Sequence, residues 1–261
     1  MIIQTRNSLC SKCAPFGSAI KHRNTVCRAS FTADFFESKD LLMKHIIVDL
    51  EMNPVAKEHR DIRRKLNGEI IEIGAVRLNE HFEQEDEFQC YVCPEYGMVK
   101  KHITELTGIT QEKVAGRPAF SESFHSFVAW IGAAETKIYS WSMSDIKQLR
   151  KECRLKLPDF DVSWLDVRWV DLQQAFDDRL GLHNSLALKH ALGAMGRSFE
   201  GSQHSALADA RNTSAVLSLM QDDAKFRETM RPVLEILEPS EGLSNSIGDL
   251  FPDLEKLKNK L

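Results

Sequence analysis

The sequence contains three short segments whose acidic and imidazole side chains have spacings suited to metal-assisted chemistry. In the first, Asp49 and Glu51 lie at the end of the apolar, β-branched run His45–Glu51. Side chains two residues apart on a strand point to the same face, so the two carboxylates are expected side by side. Their repulsion is costly unless a cation neutralises it, and Mg²⁺ or Mn²⁺ prefers such hard oxygen ligands. Taken alone, a strand that simply emerges into solvent is the better explanation of this pair.

The second and third segments each place an acid at the start of a predicted helix. Asp145 follows an apolar strand and lies in the first helical turn, where the helix dipole by itself stabilises a carboxylate. His204 precedes Asp209 by five residues, and imidazole is the side chain best suited to accept a proton near neutral pH. Each segment alone has an ordinary explanation. The order and separation of the three segments would, however, bring their acids to one edge of one sheet, which predicts a metal-dependent catalytic site.

The elements that must position these residues follow from hydrophobic periodicity. Short, β-branched runs predict five strands at His45–Glu51, Glu69–Leu78, Glu87–Cys93, Thr136–Trp141 and Val167–Val170. The first three have connections short enough for an antiparallel meander. Helical spacing is found at Ile103–Gly108, Gln111–Ala115, Pro118–Gly132, Ser144–Cys153, Ser185–Met195, Ser205–Met220 and Phe226–Leu237. This order predicts the α/β class, with a mixed five-stranded sheet and helices on its faces.

Two helix starts also carry predicted N-caps. Ser144 is expected to cap the helix that carries Asp145. Asp171 is expected to cap the helix after the last strand, with Gln174 three residues farther on as in a capping box.

Composition and charge exclude several classes of protein. Hydrophobic residues make up 43% and charged residues 28% of the 261 residues, which is ordinary for a soluble globular protein. No apolar run approaches the ~20 residues that span a bilayer, so no membrane partner is expected. The net charge is −4, with +4 on residues 1–44 and −8 on residues 45–261, and this is not the basic signature of a protein that coats duplex DNA. An acidic body suits an enzyme that binds divalent cations and contacts only the end of a nucleic-acid strand.

The cysteines indicate the compartment. Six cysteines are too few and too scattered for a disulfide scaffold in a chain of this length. A reduced, intracellular setting is the simpler interpretation, and we expect a cytoplasmic protein.

Residues 1–42 lack the periodicity of the rest, and three interpretations remain open. The segment is a flexible extension before a compact domain that starts at Met43, or an acid-poor organelle transit peptide, which would make the location an organelle. The third interpretation is a metal-binding knuckle formed by Cys10, Cys13, His22 and Cys27.

We therefore expect three regions along the chain. They are the extension 1–42, a catalytic domain at 43–222 and a C-terminal helical extension at 223–261. The last region ends in a polar helix at Asp249–Leu261, for which solvation and self-association are both left open.

The three chemical segments resemble the three exonuclease motifs of the DEDDh superfamily of 3′–5′ exonucleases, which have a ribonuclease H-like fold. The motifs are Asp49-Leu-Glu51, Trp141 to Asp145, and His204 to Asp209. The resemblance extends from Lys44 to Met220 and includes the supporting stretches Glu69–Val76, Ile103–Thr110 and Phe199–Gly201. The branch that the sequence resembles most holds the histone-mRNA and small-RNA 3′-end exonucleases and the bacterial KapD-like proteins. It implies a single exonuclease domain.

The resemblance implies a catalytic role for each matching residue. Asp49, Glu51, Asp145 and Asp209 are expected to hold two Mg²⁺ ions, for which Mn²⁺ can substitute. His204 is expected to be the general base, and Glu51 is also expected to be catalytic, since it would bridge the two metals together with Asp49.

The resemblance also implies contacts to the 3′-terminal nucleotide. Met52 is expected to lie against this nucleotide, and Leu106 to wedge beside the last base. Trp141 is expected to stack near the same base, and His204 to be within reach of the substrate. For Leu106 and Trp141, packing in the core is an alternative that the sequence leaves open.

Two positions depart from the pattern of many relatives. An acid often stands just after the tryptophan of the second motif or two residues after it, where this chain has Ser142 and Met143. Asp145 is the acid available in this motif, and we assign the ligand role to it. Ala208 replaces an aspartate of many relatives, and little consequence is expected because that position is not a ligand.

The expected reaction is two-metal hydrolysis that releases nucleoside 5′-monophosphates from single-stranded 3′ ends. The family resemblance favours RNA over DNA, although no residue declares a contact to the 2′-hydroxyl. A single-stranded end also suits an acidic body, because stacking and a few local cations suffice for binding. Two alternatives are a 3′–5′ DNA exonuclease and a non-catalytic regulatory protein on the same scaffold. The sequence does not predict the oligomeric state.

Overall fold

The computed structural model describes residues 43–237, which are built around a five-stranded sheet. Its strands are β1 (Lys44–Pro54), β2 (Gly68–Leu78), β3 (Gln84–Tyr91), β4 (Thr136–Ser140) and β5 (Trp169–Asp171). The order across the sheet is β3-β2-β1-β4-β5. β2 is antiparallel to both β1 and β3, whereas β4 pairs in parallel with β1 and β5. The predicted meander and mixed sheet are therefore confirmed.

Helices cover both faces of this sheet. They are α1 (Arg60–Arg63), α2 (Lys101–Thr107), α3 (Gln111–Val114), α4 (Phe120–Ile131), α5 (Ser144–Lys156), α6 (Ser163–Arg168), α7 (Leu172–Leu180), α8 (Leu188–Ala194), α9 (Ala206–Met220) and α10 (Asp223–Leu237). Within residues 43–237, none of them combines the length and the apolar character that crossing a membrane requires.

The central strand β1 is buried on both faces, and alternate residues contact different helices. Its even-numbered residues at 46–50 pack with the aromatic side chains of α4 and with α5. Ile47 packs on the opposite face with Leu207 at the start of α9. Because side chains alternate along a strand, Asp49 and Glu51 continue the series of Ile47 and are directed towards α9.

The last helices form a second layer beyond the sheet. Phe226 and Met230 of α10 are buried in the same apolar cluster as Phe176 of α7 and Leu192 of α8. Residues 223–237 thus pack onto the helices that precede them, and the domain boundary at 222 stays a prediction. The predictions for residues 1–42 and for the tail helix lie outside the described residues.

Two local predictions are wrong and one is confirmed in part. The predicted strand Val167–Val170 is misplaced, because Val167 belongs to α6. The residues that pair with β4 are Trp169, Val170 and Asp171, so β5 begins at Trp169. Ser144 is the first residue of α5 rather than its cap, and its hydroxyl bonds side chains instead of the backbone of the next turn. Asp171 does cap α7, since its Oδ1 accepts a hydrogen bond from Gln174 N (3.0 Å). The Gln174 side chain does not complete a capping box, because its Nε2 donates to Asp178 Oδ1 (2.7 Å).

Candidate active site

Asp49 and Glu51 lie on the part of β1 that faces the start of α9. Glu51 is opposite Glu72 in the pairing of β1 with β2, and the register shifts between Glu51 and Met52. Irregularities of this kind re-aim side chains and are common next to active sites. Glu51 is buried and Asp49 is partly buried, so both carboxylates are shielded from bulk water.

Asp145 reaches the same region around the edge of β1. The pairing of β4 with β1 extends only to Ile47, and beyond that point Leu50 N donates a hydrogen bond to Asp145 Oδ1 (3.1 Å). Ser144 Oγ donates to the other carboxylate oxygen (3.2 Å). The carboxylate is therefore fixed both by the packing of α5 under the sheet and by the backbone of β1.

His204 and Asp209 come from the loop before α9 and from its first turn. His204 has a φ of 63°, a left-handed conformation that costs a non-glycine residue ~1–3 kcal/mol. Its backbone N–H donates to Asp209 Oδ2 (2.8 Å), and Asp209 N in turn donates to Ser205 O (2.8 Å). A ring nitrogen of His204 and carboxylate oxygens of Glu51 and Asp209 all lie within 4.8 Å of one another. The exposed imidazole thus stands at the edge of the acidic cluster.

Burial, and after it repulsion between neighbouring carboxylates, raises the pKa values of the clustered carboxyl groups. Burial, followed by the charge of Asp145, holds the pKa of Asp49 well above its usual range. Burial, followed by the charge of Asp209, raises the pKa of Glu51 to about 8. Burial is also the main cause that raises the pKa of Asp145 to about 7 and that of Asp209 to about 6. Ionising these groups together is costly, and a bound cation would remove that cost.

Glu72 is a fifth carboxylate in this cluster, and the sequence motifs did not predict it. It is 1% exposed. Its Oε2 accepts a hydrogen bond from Ala206 N (3.1 Å), and its Oε1 accepts one from Gln89 Nε2 (2.6 Å). Glu72 therefore ties the first residue of α9 to β2. The available signal was an acid in the middle of the apolar run Ile70–Val76, because such a buried charge needs a partner.

The start of α9 is in backbone contact with β2. A Cβ atom at Gly74 would lie 2.2 Å from the backbone of Ala206 and from that of Leu207. A glycine is required where two backbones approach this closely. Because Asp209 lies in the first turn of α9, this contact sets the distance from its carboxylate to those of β1.

The donor set fits a hard divalent cation. Glu51 and Asp209 offer carboxylate oxygens within one small volume, with a ring nitrogen of His204 beside them. Within residues 43–237, neither Glu51 nor Asp209 forms an ion pair with a lysine or arginine, and burial together with neighbouring carboxylates raises the pKa of both. Carboxylates are the ligands that Mg²⁺ and Mn²⁺ prefer.

The three predicted nucleotide contacts have different surroundings. Leu106 of α2 is 50% exposed and so is available to a ligand. Met52 is partly buried against the core. Trp141 is also partly buried, since its Nε1 donates to Leu186 O (3.1 Å) and its ring lies 5.9 Å from that of Phe176. Core packing is thus observed for Trp141, and nucleotide contact by any of the three stays a prediction.

Comparisons with known sequences give the family. Residues 46–217 match the family RNase_T, described as exonuclease. The rat protein 3′-5′ exoribonuclease 1 is 33% identical over 175 residues, which are 61% of this chain and 49% of that protein. The mouse protein ERI1 exoribonuclease 2 is 30% identical over 242 residues, which are 82% of this chain and 34% of that protein. The chain therefore spans about half or less of the length of these curated relatives.

A comparison with solved structures agrees with the sequence match. The crystallographic structure of the nuclease domain of 3′hExo, a DEDDh family member bound to rAMP, superposes with a TM-score of 0.59. The two share 25% identity, and the superposition covers 70% of this chain and 94% of that domain. The expected ribonuclease H-like architecture of a single domain is confirmed. The family match covers well over half of the chain and includes all five strands except the first two residues of β1, and the chain belongs to the RNase_T family of DEDDh-type exonucleases.

Proposed function

We propose that this chain is a 3′–5′ exonuclease that removes nucleoside 5′-monophosphates from single-stranded RNA ends. The observation that carries the proposal is the placement of His204 beside Glu51 and Asp209, with the three ligand atoms within 4.8 Å. Hydrolysis of a phosphodiester by water needs a proton acceptor and, next to it, concentrated positive charge. His204 can accept the proton, and the carboxylates of Glu51 and Asp209 can bind the cations that supply the positive charge. RNA is the proposed substrate because the sequence relatives are named exoribonucleases.

The four motif acids, Asp49, Glu51, Asp145 and Asp209, are proposed to hold two Mg²⁺ ions, for which Mn²⁺ can substitute. When bound, such ions stabilise negative charge on the phosphodiester and promote the deprotonation of water. The contribution of the chain is to hold the acids in place. β1 supplies two carboxylates from a rigid strand, whereas α5 and α9 each supply one.

His204 is proposed to accept the proton of the attacking water. Its ring is exposed, so it can pass this proton to solvent after each turnover. The hydrogen bond from its backbone N–H to Asp209 keeps the ring at the edge of the carboxylates. The water oxygen forms a bond to phosphorus while the bond from phosphorus to the 3′ oxygen breaks. The products are a nucleoside 5′-monophosphate and a strand that is one nucleotide shorter and ends in a 3′-hydroxyl.

The test uses a 5′-labelled single-stranded RNA and a DNA of the same sequence, each with Mg²⁺, with Mn²⁺ and with EDTA. We expect a ladder that shortens from the 3′ end, faster on RNA, and absent both in EDTA and in Asp209→Ala. His204→Ala should be slower by ~10²–10⁴-fold, the usual contribution of a general base. Mn²⁺ should still raise the Tm of His204→Ala, because the four acids remain, but should raise that of Asp209→Ala much less.

Each part of the proposal has its own contrary result. Near-normal turnover by His204→Ala would remove that residue from the role of base. Faster cleavage of DNA than of RNA would identify a DNA exonuclease. If the wild type cleaves neither strand with either ion, the chain is a regulatory protein on an exonuclease scaffold.

A further inference from the structure

Lysine and arginine side chains are concentrated in two segments near the end of β1 that lies beyond Glu51. One is residues 57–65 between β1 and β2, and the other is at the start of α2. Together they form the basic rim, which we define as the cations Lys57, Arg60, Arg63, Arg64, Lys65, Lys100 and Lys101. The rim is a local exception, because residues 45–261 as a whole carry a net charge of −8.

The first segment of the rim is packed against the loop that leads to α2. Ala56 and Leu66, which flank residues 57–65, are both buried. Ala56 N donates a hydrogen bond to Tyr96 O (2.8 Å), and the ring of His59 meets the ring of Tyr96 edge-on at 5.5 Å. The loop therefore presents its cations from an anchored position.

Asn53 ties the second segment of the rim to the catalytic strand. It is fully buried and lies two residues after Glu51 on β1. Its Nδ2 donates to Met98 O (3.2 Å), and its Oδ1 accepts a hydrogen bond from Lys100 N (2.9 Å). The start of α2 is consequently held at the end of the strand that carries two of the catalytic carboxylates.

The geometry of β1 gives the distance from these carboxylates to the rim. A strand rises ~3.3 Å per residue, so Pro54, the last residue of β1, lies about 10 Å beyond Glu51, and residues 57–65 follow it. A stacked strand advances about 3.4 Å along its axis for each nucleotide. The distance from Glu51 to the rim therefore matches the length of a few stacked nucleotides. A strand whose terminal phosphodiester lies at the carboxylates could reach the rim with phosphates that lie a few nucleotides upstream.

Most cations of the rim have no carboxylate partner among residues 43–237. Arg64 pairs with Asp61 and Lys101 pairs with Glu105, and both pairs are exposed. Exposed pairs of this kind are weak and are easily exchanged for another anion. The other five cations make no ion pair in that part of the chain, so they are free to meet an anionic ligand.

We propose that the basic rim binds the phosphate backbone of the single-stranded substrate, a few nucleotides upstream of the 3′ end. This inference deepens the proposed function and rests on it. The acidic cluster acts on the terminal phosphodiester but repels the strand, whereas the rim supplies the attraction that the acidic body lacks. Because cations that contact phosphates release counterions, this attraction must depend steeply on salt.

Two double variants with the same change of charge separate the rim from net charge. Arg60→Gln/Arg63→Gln removes two unpaired cations of the rim. Lys225→Gln/Arg227→Gln removes two cations near the start of α10. This helix follows the C-terminal end of α9, whereas Asp209 lies near the N-terminal end of α9. All four side chains are exposed, so both variants are expected to fold.

The rim variant is expected to bind RNA more weakly without slower chemistry. For single strands each phosphate contact contributes about 0.7 to the slope of log affinity against log salt, so two lost contacts should raise KM about 25-fold in about 0.1 M salt. The dependence of log KM on log salt should become shallower by about 1.4. The kcat at saturating RNA should be retained, and so should hydrolysis of the 4-nitrophenyl ester of a nucleoside 5′-monophosphate, which has no upstream phosphates. The α10 variant should equal the wild type throughout.

The outcomes distinguish this inference from the proposed function. If the rim variant has the wild-type KM and salt dependence on RNA, the rim is not a backbone site. If the wild type hydrolyses neither RNA nor the ester, the proposed function fails instead. The rim is then judged by the fluorescence anisotropy of labelled RNA without divalent ions. Weaker binding by the rim variant than by the α10 variant supports the inference, and equal binding overturns it.

Discussion

Glu72 is expected to position the start of α9. The test exchanges the glutamate at position 72 with the glutamine at position 89, to which it is hydrogen-bonded. Its two carboxylate oxygens accept hydrogen bonds from Ala206 N and from Gln89 Nε2. Glu72→Gln keeps the size of the side chain but replaces one acceptor oxygen by an amide group. That amide must face another donor, so one of the two hydrogen bonds is lost.

The structure allows the loss to be estimated. A hydrogen bond to a charged group contributes about 1.5–3 kcal/mol, so Glu72→Gln should reduce the free energy of unfolding by about that amount. His204 and Asp209 would move with α9, and a displacement of about 1 Å at reacting groups can cost ~10²-fold in rate. We therefore expect a lower urea midpoint with an unchanged slope, together with a kcat/KM on RNA reduced by up to ~10²-fold.

The second substitution, Gln89→Glu, should reverse these effects when it is combined with Glu72→Gln. The amide introduced at position 72 can then donate to the carboxylate introduced at position 89, while its carbonyl accepts from Ala206 N. Wild-type stability and kcat/KM in Glu72→Gln itself would refute the reasoning. So would a double variant whose losses equal the sum of those of the two single variants. If the double variant recovers stability but needs more Mn²⁺ for half-maximal rate, the charge of Glu72, and not its hydrogen bonds, is what the site requires.

Two further substitutions test the supports of the site. Gly74→Ala should cost about 1–3 kcal/mol and lower kcat, because its Cβ would meet the backbone of α9. Gly193→Ala in α8, whose Cβ meets nothing within 4 Å, is the control, and equal effects of the two would contradict this account. Lys156→Met should cost about 3–5 kcal/mol near neutral pH, since Lys156 Nζ is the buried partner of Glu69 (2.9 Å) and Glu152 (2.7 Å). Burial raises the pKa of Glu152 in the folded state, so lower pH favours folding and the cost should shrink as that carboxyl takes up a proton. Urea midpoints compared between neutral and mildly acid pH measure this, and a cost that does not change with pH would count against it.

The sequence predicts best what depends on local periodicity. β1 and β2 are found within a few residues of their predicted bounds, because both are β-branched runs buried on two faces. The motif acids and His204 meet because Asp49 and Glu51 lie in the second half of β1, whereas Asp145 and Asp209 lie in the first turns of two helices that pack against the sheet and His204 lies in the loop before one of them. β5 is misplaced because a strand of three residues is too short to show a period.

Contacts between distant parts of the chain could not be predicted in this way. Glu72 bonds Ala206, which is 134 residues farther along the chain, and no local pattern joins the two. Asn53 is an equally buried polar residue whose partners, Met98 O and Lys100 N, are set by the path of a loop. A single sequence shows that such residues are polar in apolar surroundings, but the partner that satisfies them is decided by tertiary packing.

β2 supplies none of the predicted ligands, yet each element that carries one is bonded to it. It pairs with β1, its residue Ile70 donates a backbone hydrogen bond to Glu152 of α5 (2.9 Å), and Glu72 accepts one from Ala206 of α9. Carboxylates that repel one another can be assembled only on a frame that is stable for other reasons, and an interior strand with nine of its eleven residues buried provides it. Substitutions in β2 should therefore impair catalysis more than equally destabilising substitutions in α8, because the first group changes the distances between the acids, whereas the second changes only the stability of the domain.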